Sequence, residues 1–510
     1  MIRKVFYGDD IVTVTLPDST RVITPPAPAD GIEDYEGAVR EALHNPFGCE
    51  SLSKLVGPNS KITIAFDDPC LPLPPMARDL RGRAVEVALE ELFRAGVSKD
   101  KIRLVCAVGL HRKWTSGELK HLLGQKVWAE MGPSRITNHD AEDPDGVCEL
   151  GLTEDGRPVE VNRLVKDSDL VIYVNINWTA MNGGWKSILV GLGTFNSIRE
   201  HHNSKALEQG SVMDPHRSRF HDILAEMGKV LSQNSNIFTI ETVINNRLWG
   251  SLVGRLLSID SGDKPAGVPL PLRLSSMLPT GLKRLITGSF RSRYEPVAVH
   301  AGRIDDVHPL TLEAVDAHHN VTVRGQSDAL FLALPNISPY SSFSRINPIL
   351  AMNMALGYVY NMHRRMPLVR RDGVLIVMNP FLPGFHKKHH PSYVEFYEKV
   401  LPQTGDPGEI EERFEMDFAK RPEYIQLYRH HYAYHGVHPL YVWCWGTMAM
   451  RNLSRIIAVG AVDKRVTDRL GIENAATVEA ALDMAAETLG KDFSLTYPAM
   501  PPIFCADVKA

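Results

Sequence analysis

The stretch Ile102–Arg112, with the sequence IRLVCAVGLHR, carries the pattern that decides the fold. Its largely apolar beginning predicts a strand, and Gly109 marks the turn that leads to a histidine and an arginine. A similar run upstream, Lys61–Phe66, also predicts a strand and is followed by Asp67 and Asp68. Ligands of open α/β sheets bind beyond the carboxyl ends of the strands. We therefore expect the polar residues after these two strands to share one site.

Helix and strand patterns alternate along the rest of the chain. The pattern predicts a helix over Arg78–Ala95 and a strand over Asp169–Asn175, and alternation resumes in the second half at Ala329–Leu334, Pro348–Tyr360, Val374–Asn379 and Val478–Leu489. A chain of 510 residues is too long for one ordinary core. We predict two α/β domains with the active site in the cleft between them. The predicted division is an N-terminal domain at 1–255, a linker or insertion at 256–297 and a C-terminal domain at 298–510.

The composition is typical of a soluble enzyme. The apolar share is 44%, the charged share is 23% and the net charge is −4, so no general attraction to nucleic acid is expected. The six cysteines are scattered without a Cys-x-x-Cys pair, which favours reduced thiols over a disulfide framework. The N-terminus lacks a signal-like apolar stretch, and the most apolar run, Leu440–Met450, is too short to cross a bilayer. These features predict a cytoplasmic protein without a transmembrane segment.

The segment Ser258–Tyr294 is rich in glycine, proline, serine and basic residues. This composition favours a linker with an insertion. A lid, an oligomer contact or a membrane-surface helix stays open as an alternative, because one sequence does not separate these structures. A homo-oligomer is equally left open.

A second informative segment is Asn182–Ser187, with the sequence NGGWKS. Gly183 and Gly184 allow the backbone to approach a bulky group, and Lys186 offers a charge or an amine nucleophile. His202 follows the lysine by 16 residues and offers a ring nitrogen to a metal. No simple metal motif or nucleotide fingerprint has this spacing.

Taken together, these segments resemble the nickel-pincer nucleotide-dependent lactate racemase family. That family carries an Asp-Asp-x-Thr-Arg-Pro turn, an Ala-x-Gly-x-His-Arg turn, an Asn-His-Asp segment, Pro-Val-x-Val-Asn-Arg, and a Gly-Gly-x-Lys loop with a histidine at the same spacing beyond the lysine. The matching segments here are 67–72, 107–112, 138–140, 158–163, 183–186 and His202. The resemblance is specific across these segments and weaker in the second half of the chain.

The resemblance implies a cofactor and a reaction. The cofactor is nickel bound in pyridinium-3,5-bisthiocarboxylic acid mononucleotide, with Lys186 as its covalent attachment and His202 as the nickel ligand. It takes a hydride from a carbinol carbon and returns it to the other face, while a histidine takes the hydroxyl proton. The implied activity is that of a racemase or epimerase of a 2-hydroxy acid or a sugar-like secondary alcohol. The implied partners are a small-molecule substrate and the proteins that make the cofactor.

The resemblance also implies roles for neighbouring residues. His111 matches a catalytic histidine with Arg112 beside it, and His201 is a candidate proton relay. Asp68 matches an acidic turn residue near the cofactor, and the cofactor-binding set is completed by Gly183, Gly184 and Trp178. Ordinary alternatives stay open: a structural hydrogen-bonded histidine, a strand-end cap for the aspartate, and exposed polar side chains for the lysine and the other histidines.

Several departures from the family pattern point to a different substrate. No histidine stands in Asn175–Thr179, where the family has a second catalytic histidine. The turn reads Cys70-Leu71-Pro72 without the family's arginine, and Leu350 and Asn353 stand where a Gln-x-x-Lys pair grips a carboxylate. We therefore expect lactate to be a poor substrate, and a larger polyol, a sugar-like compound or a bulky hydroxy acid to fit better.

A histidine-rich run, His386–His390, introduces new polar groups. We expect His386, or else His389 or His390, to close over the site and replace the missing histidine. A solvated loop is the ordinary alternative, and a zinc site is less favoured because no carboxylate or cysteine accompanies the run. Trp178 and Tyr393 offer rings that could stack on a substrate.

The sequence leaves three classes of function open. The favoured class is an isomerase of the racemase or epimerase type. The second is an oxidoreductase or eliminase that uses the same pincer cofactor, because one of two opposed bases is missing. The third is a protein that binds or stores the cofactor without turnover, against which Lys186 and His111 argue.

Overall fold

The computed structural model of the chain describes residues 1–70, 74–249, 277–278, 291–341 and 344–510. The predicted insertion at 256–297 therefore lies outside the described residues, apart from 277–278 and 291–297. Leu71 and Pro72, in the turn that departs from the family pattern, also lie outside them.

The described residues form an α/β protein. The strands are β1 Ile2–Tyr7, β2 Asp10–Thr15, β3 Arg21–Ile23, β4 Ile62–Asp67, β5 Ile102–Ala107, β6 Ile136–Asn138, β7 Val147–Leu152, β8 Pro158–Asn162, β9 Leu170–Asn177, β10 Ile237–Ile244, β11 Pro296–Gly302, β12 Asn320–Arg324, β13 Ser327–Ala333, β14 His363–Arg364, β15 Val369–Met378, β16 Leu453–Val459, β17 Glu473–Ala475, β18 Leu495–Pro498 and β19 Cys505–Lys509.

The α-helices are α1 Tyr35–His44, α2 Leu52–Leu55, α3 Leu80–Arg94, α4 Ser116–Met131, α5 Arg163–Asp167, α6 Gly184–Gly191, α7 Phe195–Ile198, α8 Ser204–Leu207, α9 Arg219–Asn234, α10 Ile304–His319, α11 Pro348–Met352, α12 Pro391–Glu395, α13 Pro407–Lys420, α14 Pro422–His430, α15 His438–Cys444, α16 Thr447–Asn452, α17 Lys464–Leu470 and α18 Val478–Leu489. Short 3₁₀ turns cover Lys99–Lys101, Pro133–Arg135, Pro215–Arg217 and Pro339–Ser341, and π-helical turns cover Asn353–Val359 and Phe396–Val400.

The first sheet has the strand order β11-β10-β9-β4-β5-β6. All of its strands run parallel except β11, which pairs antiparallel with β10 at the edge. The two central strands β4 and β9 are buried along nearly their whole length, as expected of a parallel sheet that helices cover on both faces. Because β5, β4 and β9 are neighbours, the loops that follow them meet at one edge. The predicted strands around Lys61–Phe66, Ile102–Ala107 and Asp169–Asn175 are confirmed.

The second sheet has the order β17-β16-β15-β13-β18-β3 and is parallel throughout. Its edge strand β3 comes from the N-terminal part of the chain, while β11 at 296–302 belongs to the first sheet. Strand pairing therefore crosses between the two halves at both places. The division at 1–255, 256–297 and 298–510 stays a prediction, whereas the two α/β sheets agree with the predicted fold class.

One helix agrees with the local sequence pattern and another departs from it. The last predicted helix is α18, and the side chain of Thr477 caps it by accepting a hydrogen bond from the Ala480 N–H. The run Pro348–Tyr360 begins as α11 but continues as a π-helical turn, which apolar periodicity alone did not predict.

The six cysteines are free, as predicted. Within the described part of the chain, no helix combines the length and apolar character that a bilayer crossing requires.

Candidate functional site

Three loops of the first sheet supply most of the predicted site. Asp68 directly follows β4, His111 follows β5, and the loop that leads to Lys186 follows β9. The three strands are adjacent, so these side chains meet at the carboxyl edge of the sheet. The turn that carries His111 leads into α4, which begins with a capping box. In this capping box Thr115 and Glu118 exchange hydrogen bonds.

Asp68 and His111 form a hydrogen-bonded pair. The His111 Nδ1 lies 3.0 Å from the Asp68 Oδ2. The same carboxylate accepts hydrogen bonds from the Trp114 indole at 3.3 Å and from the Cys70 backbone N–H at 3.2 Å. Burial alone would raise the pKa of Asp68, but its charge interaction and hydrogen bond with His111, together with these donors, hold that pKa below the ordinary value. A buried, ionised carboxylate thus orients the half-buried imidazole, which is the arrangement of a positioned general base.

The ring of His111 is surrounded by aromatic side chains of the second half. Tyr340, His438 and Tyr434 lie at centroid distances of 5.2, 5.3 and 6.1 Å. Tyr393 is fully buried and bonds through its hydroxyl to the His438 Nδ1 at 2.6 Å. The site therefore lies between residues of both halves, which supports the predicted cleft.

His438 is a site residue that the sequence reasoning missed. It begins helix α15, two residues before the apolar run Leu440–Met450. Burial and nearby positive charges, that of His111 first, hold the pKa of His438 well below its ordinary value. No local motif marks this histidine. Its proximity to His111 arises only from the packing of the two halves, so no local signal could have found it.

His202 and His201 form a second buried pair next to the lysine loop. Their Nδ1 atoms are 2.7 Å apart, so one ring donates to the other. The tautomer in which His202 donates leaves the lone pair of its Nε2 available to a metal. His201 is fully buried and its Nε2 has no hydrogen-bond partner. Burial and the charge of Lys186 lower the pKa of His201 to about 3. The imidazole of this pair is therefore suited to act in its neutral form.

Side chains of helix α15 and the residue after it lie next to both His111 and His202. His438 faces His111, and Tyr441, three residues later on the same helical face, lies 5.9 Å from the ring of His202. Trp445 follows at 5.7 Å from His202. The predicted metal ligand and the predicted base are thus covered by one helix of the second half.

Lys186 is the third residue of α6 and is partly buried. Its Nζ makes no hydrogen bond or ion pair with any described residue. Burial lowers the pKa of the Lys186 ammonium below its ordinary value, although the charges of Asp67 and Asp68 act in the opposite direction. A larger fraction of free amine than in an exposed lysine follows, and the free amine is the form that can attack an electrophile.

Gly183 and Gly184, predicted to give room to a cofactor, are packed against the chain itself. A Cβ on Gly183 would lie 2.3 Å from the Asn177 Oδ1, and one on Gly184 would lie 2.6 Å from the ring of His308. Both glycines have positive φ angles, 87° and 57°, which a side chain would also disfavour. Internal packing therefore accounts for the two glycines, and a contact with a cofactor stays a prediction.

Trp178 is 2% exposed, and its buried Nε1–H has no hydrogen-bond partner. A buried indole donor without a partner is uncommon and is suited to an acceptor that a ligand supplies. The predicted stacking of Trp178 or Tyr393 on a substrate finds little room, because both rings are buried.

Arg112 is engaged within the protein. Its guanidinium forms a two-pronged contact with Glu118 at 2.7 and 3.2 Å and lies 3.8 Å from the ring centre of Trp114. The side chain is 1% exposed. These contacts explain why the arginine is buried, and its predicted catalytic role stays a prediction.

The run His386–His390 lies apart from His111. The ring of His386 stacks on His389 at 3.9 Å, and the His386 Nδ1 accepts the His389 backbone N–H. His390 approaches the site most closely, since it stacks on Tyr434 at 5.4 Å. Neither His386 nor His389 makes a ring contact with His111 among the described residues, so the neighbouring position belongs to His438. A catalytic role for His386 stays a prediction.

One group of potential metal ligands stands out in the described part of the chain. Asp68, Cys70 and His111 offer atoms that all lie within 4.8 Å of one another. Burial raises the pKa of the Cys70 thiol well above its ordinary value, and the thiol is the form that binds metals poorly. The histidines of the 386–390 run form no such group with described residues, which leaves the zinc alternative without support.

The family described as lactate racemase N-terminal domain matches residues 7–214. Over this N-terminal part, the chain is similar to lactate racemases. The lactate racemase of Thermoanaerobacterium thermosaccharolyticum is 25% identical over 177 residues, which is 34% of this chain. That match spans 39% of the length of the relative, and it confirms the resemblance that the motifs predicted.

Two solved structures share the fold. The lactate racemase apoprotein of the same organism superposes with a TM-score of 0.65 at 17% identity, with both chains covered completely. A crystal structure of a Thermotoga maritima protein superposes with a TM-score of 0.53 at 12% identity, covering 95% of this chain and 100% of that one. At such low identity the likeness concerns the fold, and it confirms the predicted pair of α/β domains.

Proposed function

We propose that this chain is a racemase or epimerase that acts at the secondary alcohol of a 2-hydroxy acid or a sugar-like compound. The proposal includes a nickel-pincer nucleotide held covalently by Lys186, with His202 as the protein ligand of nickel. The observation that carries it is the arrangement of the partly buried Lys186 amine, a buried histidine pair and the Asp68–His111 pair in one cleft. The relatives that the chain resembles are lactate racemases, which are isomerases.

The residues present fit such a cofactor. Lys186 offers an amine with a lowered pKa and without a partner among the described residues. The His201–His202 pair offers an imidazole lone pair, which suits nickel(II) as a ligand. The unpaired indole N–H of Trp178 offers a donor nearby in the same loop. When bound, the cofactor would supply the acceptor and donor of the hydride.

The chain itself would move the proton. His111, oriented by Asp68, would accept the hydroxyl proton of the substrate through the ring nitrogen that the carboxylate leaves free. His438 would serve as a second proton-transfer group, because its Nδ1 is bonded to Tyr393 and its Nε2 makes no hydrogen bond with a described residue. The rings of Tyr340 and Tyr434 pack around both histidines and would exclude water from the transfer.

The substrate is proposed to be larger than lactate: a polyol, a sugar-like compound or a bulky hydroxy acid. Asn353, at a position where the family has lysine, is buried, and its side-chain amide donates to the Val442 carbonyl at 2.9 Å. Arg112 is engaged by Glu118. Neither residue is therefore available to bind a carboxylate, and losing such a partner typically costs about 2–5 kcal/mol.

A substrate panel tests this proposal. The chain would be co-expressed with cofactor-making enzymes and offered lactate, larger hydroxy acids and sugars, with chiral separation of the products. We expect an epimer of unchanged mass that disappears in His111→Ala, and little turnover of lactate. A product of changed formula would instead identify an oxidoreductase or eliminase, and a fully loaded protein without turnover would identify a binding or storage protein. Efficient racemisation of lactate would contradict the assigned substrate class.

A further inference from the structure

Helix α6, which carries Lys186, begins without a capping side chain of its own. Its N-cap residue is Gly183, which has no side chain, and the first helical residue is Gly184. The first N–H groups of a helix need acceptors from elsewhere when the N-cap cannot provide one. Lys186 lies in this first turn, so whatever holds the turn also sets the position of its amine.

Glu241 supplies the missing acceptor from strand β10. Its Oε1 accepts the Gly184 backbone N–H at 2.8 Å and also the Asn175 amide at 3.3 Å. The Glu241 side chain is fully buried. Burial would raise its pKa, but the charge and hydrogen bond of His308 and the Gly184 N–H outweigh burial and lower the pKa. A buried negative charge therefore stands at the N-terminus of α6, where the helix dipole favours it.

His308 completes the arrangement from helix α10. Its Nδ1 lies 3.0 Å from the second carboxylate oxygen of Glu241. Its ring covers the turn so closely that a Cβ on Gly184 would lie 2.6 Å from ring carbon Cδ2. The turn is thus held between an acceptor in the sheet and a ring from a helix that begins more than a hundred residues later in the chain.

We propose that Glu241 and His308 are positioning residues for Lys186, because they clamp the Gly183–Gly184 turn and fix the depth at which the amine is buried. Without the clamp, the first turn of α6 frays and water reaches the amine. Relief of burial raises the pKa of an ammonium group, so loosening the turn shifts Lys186 toward an ordinary lysine. The inference rests on the proposed role of Lys186 as the attachment site.

Competitive acetylation of the apoprotein tests the clamp without cofactor or substrate. Acetic anhydride would be applied across a pH series, and peptide mass spectrometry would give the apparent pKa of Lys186, with the exposed Lys229 as internal reference. We expect His308→Ala to raise the apparent pKa of Lys186 by about one unit, a roughly tenfold smaller free-amine fraction below that pKa. The Lys229 profile stays unchanged.

Three further variants make the result decisive. His318→Ala, in the last turn of the same helix, is the matched control and leaves Lys186 as in the parent. His308→Gln, whose amide can donate to Glu241, restores much of the parent profile. If His308→Ala does not fold, the double variant Glu241→Gln/His308→Ala carries the same test without a buried unpaired carboxylate.

An unchanged Lys186 profile in a folded His308→Ala protein or in the double variant would overturn the clamp. This outcome is distinct from a failure of the proposed function. A parent protein that never acquires a cofactor adduct would refute the role of Lys186 and leave the measured effect of the clamp on its amine intact.

Discussion

Replacing Asp68 by asparagine tests the orientation of the proposed base. The Asp68 carboxylate accepts hydrogen bonds from His111, Trp114 and Cys70, and asparagine keeps its size while removing the charge. A hydrogen bond to a charged group contributes about 1.5–3 kcal/mol. If that contribution is lost in the transition state, the rate falls about 10- to 150-fold at 1.36 kcal/mol per factor of ten. An amide turned with its NH₂ toward His111 would also favour the wrong tautomer of the imidazole.

The assay is the initial rate of epimerisation of the substrate that the panel identifies, with bound nickel measured in the same sample. We expect Asp68→Asn to lower kcat in this range while nickel content stays at the parent level. Asp140→Asn is the matched control, because that carboxylate pairs with Lys113 and Arg429 and touches neither histidine of the site. Its rate should stay within about fivefold of the parent, since partly exposed ion pairs contribute about 0–1 kcal/mol. A parent-like rate in Asp68→Asn would refute the orienting role of the carboxylate.

Three further predictions concern the second base, the metal and the buried histidines. His438→Asn should lower kcat by about 10²- to 10⁴-fold with cofactor loading intact; a kcat within a few-fold of the parent would remove His438 from proton transfer. His202→Ala should reduce nickel content after co-expression with the cofactor-making enzymes, as measured by inductively coupled plasma mass spectrometry, and full nickel occupancy would exclude it as a ligand. Burial lowers the pKa of His139 from 6.5 to about 4. As the pH falls, His139 takes up a proton in the unfolded chain before it does so in the folded protein. The free energy of unfolding is therefore unaffected by this histidine above about pH 6.5 and decreases as the pH falls toward 4, by up to about 3 kcal/mol. Urea unfolding across this pH range should show that the unfolding free energy of His139→Asn depends less on pH than that of the parent. An equal pH dependence in both proteins would contradict the lowered pKa of His139.

Local pattern was sufficient to predict β4, β5 and β9, three adjacent strands of the first sheet, and the residues that follow them. Asp68, His111 and Lys186 each stand next to a short motif, and adjacent parallel strands bring such motifs together. The same logic predicted the helix at Val478–Leu489 from its cap and its stop. These elements are determined by residues close in sequence, which a single chain displays directly.

The remainder of the site depends on contacts between distant segments. His438 and Tyr340 reach His111 only because helix α15 and the loop before α11 pack over the first sheet. The sequence does not show that Gly183 and Gly184 pack against His308, which reaches them from a helix far along the chain. The His386–His390 run was favoured as the second base because it is conspicuous in sequence. Tertiary packing places His438 beside His111, which no local pattern indicates, and a catalytic role for His386 stays a prediction.

The central claim is that the amine of Lys186 holds the cofactor in this cleft. Its most direct test is intact-protein and peptide mass spectrometry of the chain after co-expression with cofactor-making enzymes, beside a Lys186→Ala variant and a Lys205→Ala control. We predict a single added mass, that of one pincer nucleotide less the water released when the amine and a thiocarboxylate condense to a thioamide. This adduct maps to Lys186, persists in the control and is absent from Lys186→Ala. An unmodified parent protein, under conditions that load a lactate racemase, or an adduct that persists in Lys186→Ala, would contradict the account.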